Sequence, residues 1–307
     1  MSVTAAAATY EEVLGQIAEM SEDVVVMTAE NRAPIRGLPA VLGDRFIDVG
    51  ICEQTMVGAA AGLALRGRVP VVHALAAFLV MRAFEFIRTD VGIGRLPVKL
   101  IGYVPGFLSE ANGPTHQALE DIALMRGIPG MQVFCPADGQ DLALALPAIV
   151  ASPLPAYVRY TAQEPAVMHR PFVIGRAELL SDGADVAILT YGLLVRESLE
   201  ARALLEARGI AVTLVNLRTL KPIDVSIVEK AARCRLVVTV EDHFQNGGLH
   251  SILAETFLRL RLSTRVLPLA LEDRWFAPGL LPDVLRKEGF TGKDIARKVQ
   301  DALLEEA

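Results

Sequence analysis

The sequence predicts an α/β protein made of two doubly wound domains, and three observations carry that prediction. Apolar residues fall in short runs bounded by Gly, Pro or charge, as in Val24-Val-Val-Met27 and Leu236-Val-Val-Thr-Val240. Runs that are apolar at consecutive positions, rather than alternate ones, suit parallel strands covered on both faces. Stretches with apolar residues near a 3.6-residue period follow these runs, so strands and helices alternate, which implies a parallel sheet with helices on both sides. The alternation lapses once, beyond residue 160, over a stretch holding Pro165 and Pro171, and then resumes.

The first series opens with a helix over 10–20, which carries Val13, Leu14, Ile17 and Met20 on one face. Strands over 23–27 and 46–49 follow, then a helix over 53–65 rich in Ala and Gly. Next come strand 69–75, helix 78–89, strand 98–103, helix 119–125, strand 131–135, helix 139–149 and strand 156–159. In the second series, 178–180 and 183–184 read as a turn before strand 186–190. Helix 194–208, strand 212–216, helix 226–232, strand 236–240 and helix 248–259 come after it. A last strand, 265–267, is expected to stop at Pro268, which has no N–H to give a ladder. The domains are expected at 1–165 and 179–307, joined by a linker over 166–178.

Composition narrows the function. With 52% hydrophobic and 21% charged residues the chain can build large cores and is not a disordered one. No apolar stretch approaches the ~18–20 residues of a membrane span, so no membrane role is expected. A net charge of −6 argues against nucleic acid as a partner, because phosphate-tracking surfaces are basic. Cys52, Cys135 and Cys234 form no metal or CxxC pattern and read as reduced, buried thiols of a cytoplasmic protein. The first nine residues lack the basic and apolar regions of a signal peptide.

Four segments carry candidate chemistry. In Asp48-Val-Gly-Ile-Cys-Glu-Gln54, Glu53 follows a strand and opens a helix. A carboxylate there complements the helix dipole, worth ~0.3–1 kcal/mol, but Gly50 and the small helix residues also admit a close flat ring or backbone. In Asn112-Gly-Pro-Thr-His-Gln117, His116 lies in a loop before a helix. It reads as a cap or as a ligand contact, since loops at the carboxyl ends of parallel strands bind ligands. Phe78, Met81 and Phe84, at i, i+3 and i+6, read as a core stripe or as a cofactor platform, while Arg82 and Arg88 on the same helix are expected to form ion pairs. In Val240–His250, Gly247-Gly248 reads as turn punctuation and His243 as a structural or interface residue; His73, His169 and His250 have no evident partner.

Taken together, in this order and spacing, these segments resemble the C-terminal two-thirds of transketolase over about residues 9–300. The run Gly113-Pro-Thr-His-Gln117, then Leu119-Glu-Asp-Ile-Ala-Leu-Met-Arg126 and Pro136-Ala-Asp138, is specific to transketolases and deoxyxylulose-phosphate synthases. Asp185-Val-Ala-Ile-Leu-Thr-Tyr-Gly192 and Val240-Glu-Asp-His243 match the same family. The β-subunits of 2-oxoacid dehydrogenases share the fold and a glutamate like Glu53, but lack the Thr-His-Gln loop.

The resemblance implies a pyrimidine-binding domain followed by a transketolase C-terminal domain, using thiamine diphosphate and Mg²⁺, with the cofactor as electron sink. It makes Glu53 the acid that hydrogen-bonds the aminopyrimidine, in a dry setting formed by Ile51, Met56 and Val57. Phe78, Met81 and Phe84 then wall the ring, and His116 reads the substrate's hydroxyls. Asn112 stands where the family has a donor-reading aspartate, and Val104 where it has a histidine. Tyr10 and Ala162 stand where two arginines hold a sugar phosphate, so a non-standard substrate is expected, with Arg32 or Arg36 as possible substitutes. No GDG motif with its following Asn is present. The diphosphate and metal are therefore expected mainly on a separate N-terminal-type subunit, in an α2β2 assembly. The implied reaction is transfer of a two-carbon ketol unit from a ketose to an aldehyde. The alternatives are decarboxylation of a 2-oxoacid such as pyruvate, or a non-catalytic scaffold, against which Glu53, Phe78 and His116 speak.

Overall fold

In the computed structural model, which describes residues 8–305, the first alternating series is α1 (Tyr10–Met20), β1 (Val24–Thr28), α2 (Leu38–Leu42), β2 (Phe46–Asp48), α3 (Glu53–Leu65) and β3 (Val69–Leu75). After β3 come π-helical turns at Phe78–Arg82 and Ile87–Gly92, with the short α4 (Phe84–Phe86) between them. The series ends with β4 (Lys99–Tyr103), α5 (Asp121–Arg126), β5 (Gln132–Phe134), α6 (Gly139–Ala151) and β6 (Ala156–Tyr160). The second series is β7 (Glu178–Ser181), β8 (Val186–Thr190), α7 (Leu194–Glu206), β9 (Val212–Asn216), β10 (Thr219–Lys221), α8 (Val225–Ala231), β11 (Leu236–Phe244), α9 (Leu249–Leu260) and β12 (Val266–Leu271). It closes with α10 (Leu281–Glu288) and α11 (Gly292–Leu304). Residues 1–7 of the first expected domain and 306–307 of the second lie outside the described residues.

Local signals explain several boundaries. Thr9 and Glu12 form a reciprocal capping box at α1, and Asp138 and Asp224 cap α6 and α8. The first sheet runs β10-β5-β6-β4-β3-β1-β2 and the second β12-β11-β8-β9-β7. All pairs are parallel except β10 with β5 and β7 with β9. Successive residues of β1 face opposite cores: Val25 and Met27 pack with α3, while Val24 and Val26 pack with α1 and α6. That two-sided burial is why the strand reads as a continuous apolar run. From β1 the chain goes outward to β2 and then back to β3 on β1's other side, so the strand order reverses at β1. Crevices at such reversals, outside the carboxyl ends, are where ligands bind in open α/β sheets.

Five expectations need correction. The helix expected over 78–89 is broken by its π-turns. The strand expected to stop at Pro268 runs on to Leu271, because β12 is an edge strand and Pro268 can turn its hydrogen-free nitrogen outward. The turn read at 178–180 is the edge strand β7. The series does not close at 267, since α10 and α11 follow and α11 packs on α7. Cys52 is exposed, while Cys135 and Cys234 are buried as expected.

The two units are welded together. One apolar core includes Met56, Ala60, Ile122 and Met125 of the first and Leu189, Leu249 and Leu253 of the second. Strand β10 reaches back to extend the first sheet. At the end of β6, buried Arg159 donates to Asp121 at 2.8 Å and to Asp242 of β11 at 2.5 Å. Residues 166–178 contain a second joint. His169 bridges Asp138 and Glu178 at 2.7 and 2.8 Å, and Arg218 pairs with Asp141 and Glu178 at 2.8 and 2.9 Å.

Candidate functional site

The site grows from the carboxyl ends of β2, β3 and β4. Asp48, the last residue of β2, accepts the Gly50 N–H at 2.9 Å, and Gly50 takes a φ of +71° that suits glycine. This tight turn delivers Glu53 as the first residue of α3, only 2% exposed. Met56, Val57, Ala60 and Ala61 of α3 are buried against the sheet, so the helix start is held rigidly. Cys52, at the N-cap, offers the helix no side-chain hydrogen bond.

Beyond β3, Phe78 opens the first π-turn and Arg82 closes it. Positions four apart share a helix face, and the Arg82 guanidinium lies 4.4 Å from the Phe78 ring centroid. The same guanidinium donates to Glu53 Oε2 at 2.8 Å. From the loop after β4, the His116 ring meets Phe78 edge-on at 4.8 Å and 68°, and Nδ1 shares a hydrogen with Thr115 Oγ1 at 2.9 Å. Ala76, Ala77 and Ala118 form the small-residue floor on which Phe78 and Met81 pack. Glu53, Arg82, Phe78 and His116 therefore form one unbroken line of contacts.

The second unit fixes the His116 loop. Gln117 Nε2 donates to the Phe276 carbonyl at 3.4 Å, and buried His243 accepts the Ala123 N–H at 3.4 Å, which gives His243 its interface role. Two β-end residues take positive φ without being glycine, Glu30 after β1 at +58° and Val104 after β4 at +48°. For a β-branched residue such as Val104 this is strained, and such strain gathers at ligand loops.

The remaining singled-out residues fall as follows. Met81 packs on the alanine floor and the main core, and Phe84 on the main core. Ile51 is 65% exposed, so it does not dry Glu53 within this chain, whereas Met56 and Val57, one turn further along α3, are buried. Asn112 is exposed at the end of the 3-10 turn Gly106–Asn112. Arg32 is committed to Asp48, its Nε donating at 2.6 Å, while Arg36 is exposed. Tyr10 is buried and stacks edge-on with Tyr160 at 4.9 Å. Burial pushes His73 down to about 4, so the ring is neutral; its Nδ1–H donates to Met27 and its Nε2 accepts the Tyr10 hydroxyl at 2.6 Å. The sequence singled out Glu53, Phe78 and His116, which the structure brings together, and expected an ion pair for Arg82, but nothing in the spacing put Arg82 on Glu53.

Residues 3–166 match the model of the transketolase pyrimidine-binding domain, and residues 175–295 that of the transketolase C-terminal domain. The chain belongs to the transketolase family. It is 35% identical to a 6-deoxy-6-sulfo-D-fructose transketolase subunit of Clostridium sp. (strain MSTE9), over 95% of this chain and 92% of that protein. It is 34% identical to a 1-deoxy-D-xylulose-5-phosphate synthase of Dictyoglomus thermophilum, over 96% of this chain but 49% of that longer protein. Among solved structures it superposes on a split-gene transketolase, described as an inactive β4 tetramer, with a TM-score of 0.88 and 33% identity over 96% and 97% of the two chains. The chain is a transketolase-like transferase subunit, and family membership implies use of thiamine diphosphate.

Among the described residues no metal-ligand trio lies beside Glu53. Among the described residues the one grouping of that kind is Asp141, His169 and Glu178, and Arg218 already pairs with both of its carboxylates. A cavity of about 460 Å³ lined by Arg126, Lys221, Glu255 and Arg259 is also distant in role. Arg126 is paired with Glu255 there, and Lys221 donates to the carbonyls of Arg126 and Ile128. Among the described residues no helix is long and apolar enough to cross a membrane.

Proposed function

We propose that this chain supplies the pyrimidine half of a split transketolase-like enzyme, which moves a two-carbon ketol unit from a ketose to an aldehyde. The observation that carries it is the linkage of buried Glu53 to the Phe78 ring through the Arg82 guanidinium, with His116 at the ring's edge. A flat nitrogenous group fits between them, because the Arg82 guanidinium already stacks on that ring and hydrogen-bonds that acid. When bound, thiamine diphosphate supplies the carbanion-stabilising chemistry. Glu53 would hold a ring nitrogen and the proton on it, and Phe78, Met81 and Phe84 would wall the ring. Exposed Ile51 covers the ring edge once a second chain closes over it. His116 and Asn112 face the donor's hydroxyls.

The diphosphate and its Mg²⁺ need dedicated oxygen ligands. We assign them to an N-terminal-type partner subunit in a two-plus-two assembly inside the cytoplasm. Support comes from a relative described as a subunit and from the split-gene chain, 92% and 97% of whose lengths are covered. The enzyme's donor is a non-standard ketose. Tyr10 is locked into an aromatic cluster, Ala162 has no charge, and Arg32 is tied to Asp48, so the sugar phosphate loses its forked guanidinium clamps. A donor panel tests this: the chain mixed with such a partner, thiamine diphosphate and Mg²⁺, offered phosphorylated, sulfonated and unmodified ketoses and pyruvate. Ketol transfer with a preference against pentose phosphates is expected, while CO₂ release from pyruvate would move the chain to the decarboxylating class.

A further inference from the structure

Arg82 occupies the space that a bound aminopyrimidine would need. Its planar guanidinium covers the Phe78 face at 4.4 Å and fills one oxygen of Glu53 at 2.8 Å. A ring stacked on Phe78 and hydrogen-bonded to Glu53 would overlap it, so the two are mutually exclusive. Glu53 is 2% exposed, and a buried carboxylate left without a partner is costly. The Arg82 side chain is 40% exposed, so its head can leave for solvent while its stem stays on the surface. It also sits at the end of a π-turn, a winding frequently found at functional sites.

We infer that Arg82 is an autoinhibitory latch, a cofactor mimic that satisfies Glu53 and shields Phe78 until the aminopyrimidine displaces it. This rests on the pyrimidine role proposed above for Glu53 and Phe78. In the lone subunit the latch keeps the buried acid paired and the aromatic face covered. Loading the cofactor then exchanges a guanidinium for a ring, with hydrogen bond and stacking surface both retained. The latch lowers the lone chain's affinity for the ring by the strength of the contacts that must first be broken.

The test uses the chain alone with thiamine, which carries the aminopyrimidine but needs no diphosphate site. Binding is read by saturation-transfer NMR on the pyrimidine methyl group, up to millimolar thiamine, on variants whose melting shows them folded. Losing a charge-assisted hydrogen bond to the competitor should tighten binding by about tenfold or more in Arg82→Met. Arg82→Lys keeps a charge on Glu53 but covers less of Phe78, and should fall between wild type and Arg82→Met. The gain should vanish when Glu53→Gln is added to Arg82→Met. Equal binding by wild type, Arg82→Met and Arg82→Lys, each weakened by Glu53→Gln, would overturn the latch and leave the site standing. A gain that survives Glu53→Gln, or no binding by any variant, would remove the site assignment and the latch with it.

Discussion

His169 shows how far one side chain's chemistry can depend on neighbours remote in sequence. Burial alone would depress its pKa, but hydrogen bonds to Asp138 and Glu178, with Asp141 nearby, raise it from 6.5 to about 10. Burial likewise opposes ionisation of Glu178, yet His169, the Arg170 N–H and Arg218 hold it down at about 2. The His169 contribution to stability is complete below pH 6.5 and is lost as pH rises through about 10. The Glu178 contribution is complete above pH 4.5 and is lost as pH falls through about 2. Thermal melts of His169→Gln against wild type should therefore show a large deficit near pH 6 that shrinks as pH approaches 10. A deficit constant across that range would contradict a charged His169. At this scale Glu53, Phe78 and His116 were legible because each sits inside a contiguous motif. His169 and Arg82 were not, because their partners come from other elements.

At the scale of elements, parallel strands and the helices between them could be read closely. The helix at 53–65 and the strands at 69–75, 186–190 and 212–216 have the bounds their patterns gave. Pro268 misled because a proline weakens a central strand but not an edge one. Strand β10 has three residues and a partner over 80 positions upstream, so no local period announces it. The π-turns keep the apolar spacing of a helix and change only the hydrogen-bond ladder. Packing between elements also leaves marks at glycines. A Cβ on Gly102 in β4 would lie 2.7 Å from Tyr157 Oη and 3.1 Å from Ala76 Cβ. Tyr157 cannot yield easily, since its hydroxyl donates to buried Asp121 at 2.6 Å. Gly102→Ala should cost about 1–3 kcal/mol in urea unfolding, the usual cost of overpacking; no loss would show that the β4 environment is looser than described.

Across the whole molecule, the family and the two-sheet plan were legible, but the joint between the units was not. Arg159 and Asp242 lie 83 positions apart, and only folding brings a β6 cation onto a β11 acid. That joint aligns the His116 loop, because Asp121 and Ala123 of α5 follow it directly. Arg159→Met would leave two buried carboxylates without a counter-charge and should cost about 3–5 kcal/mol. Adding Asp242→Asn should recover part of that loss, and a single-variant loss near zero would show that the units are held by their apolar core alone. A rigid joint would suit the role proposed above, in which the chain presents half of a site to a second subunit.

The most direct measurement is ketol transfer by this chain alone, by the chain mixed with an N-terminal-type partner, and by the same mixture carrying Glu53→Gln, each with thiamine diphosphate and Mg²⁺. Turnover is expected only in the wild-type mixture, with Glu53→Gln slower by about 10²–10⁴-fold, the usual contribution of a positioned proton-transfer group. Turnover by the chain alone, or by the Glu53→Gln mixture at the wild-type rate, would contradict a split enzyme centred on Glu53.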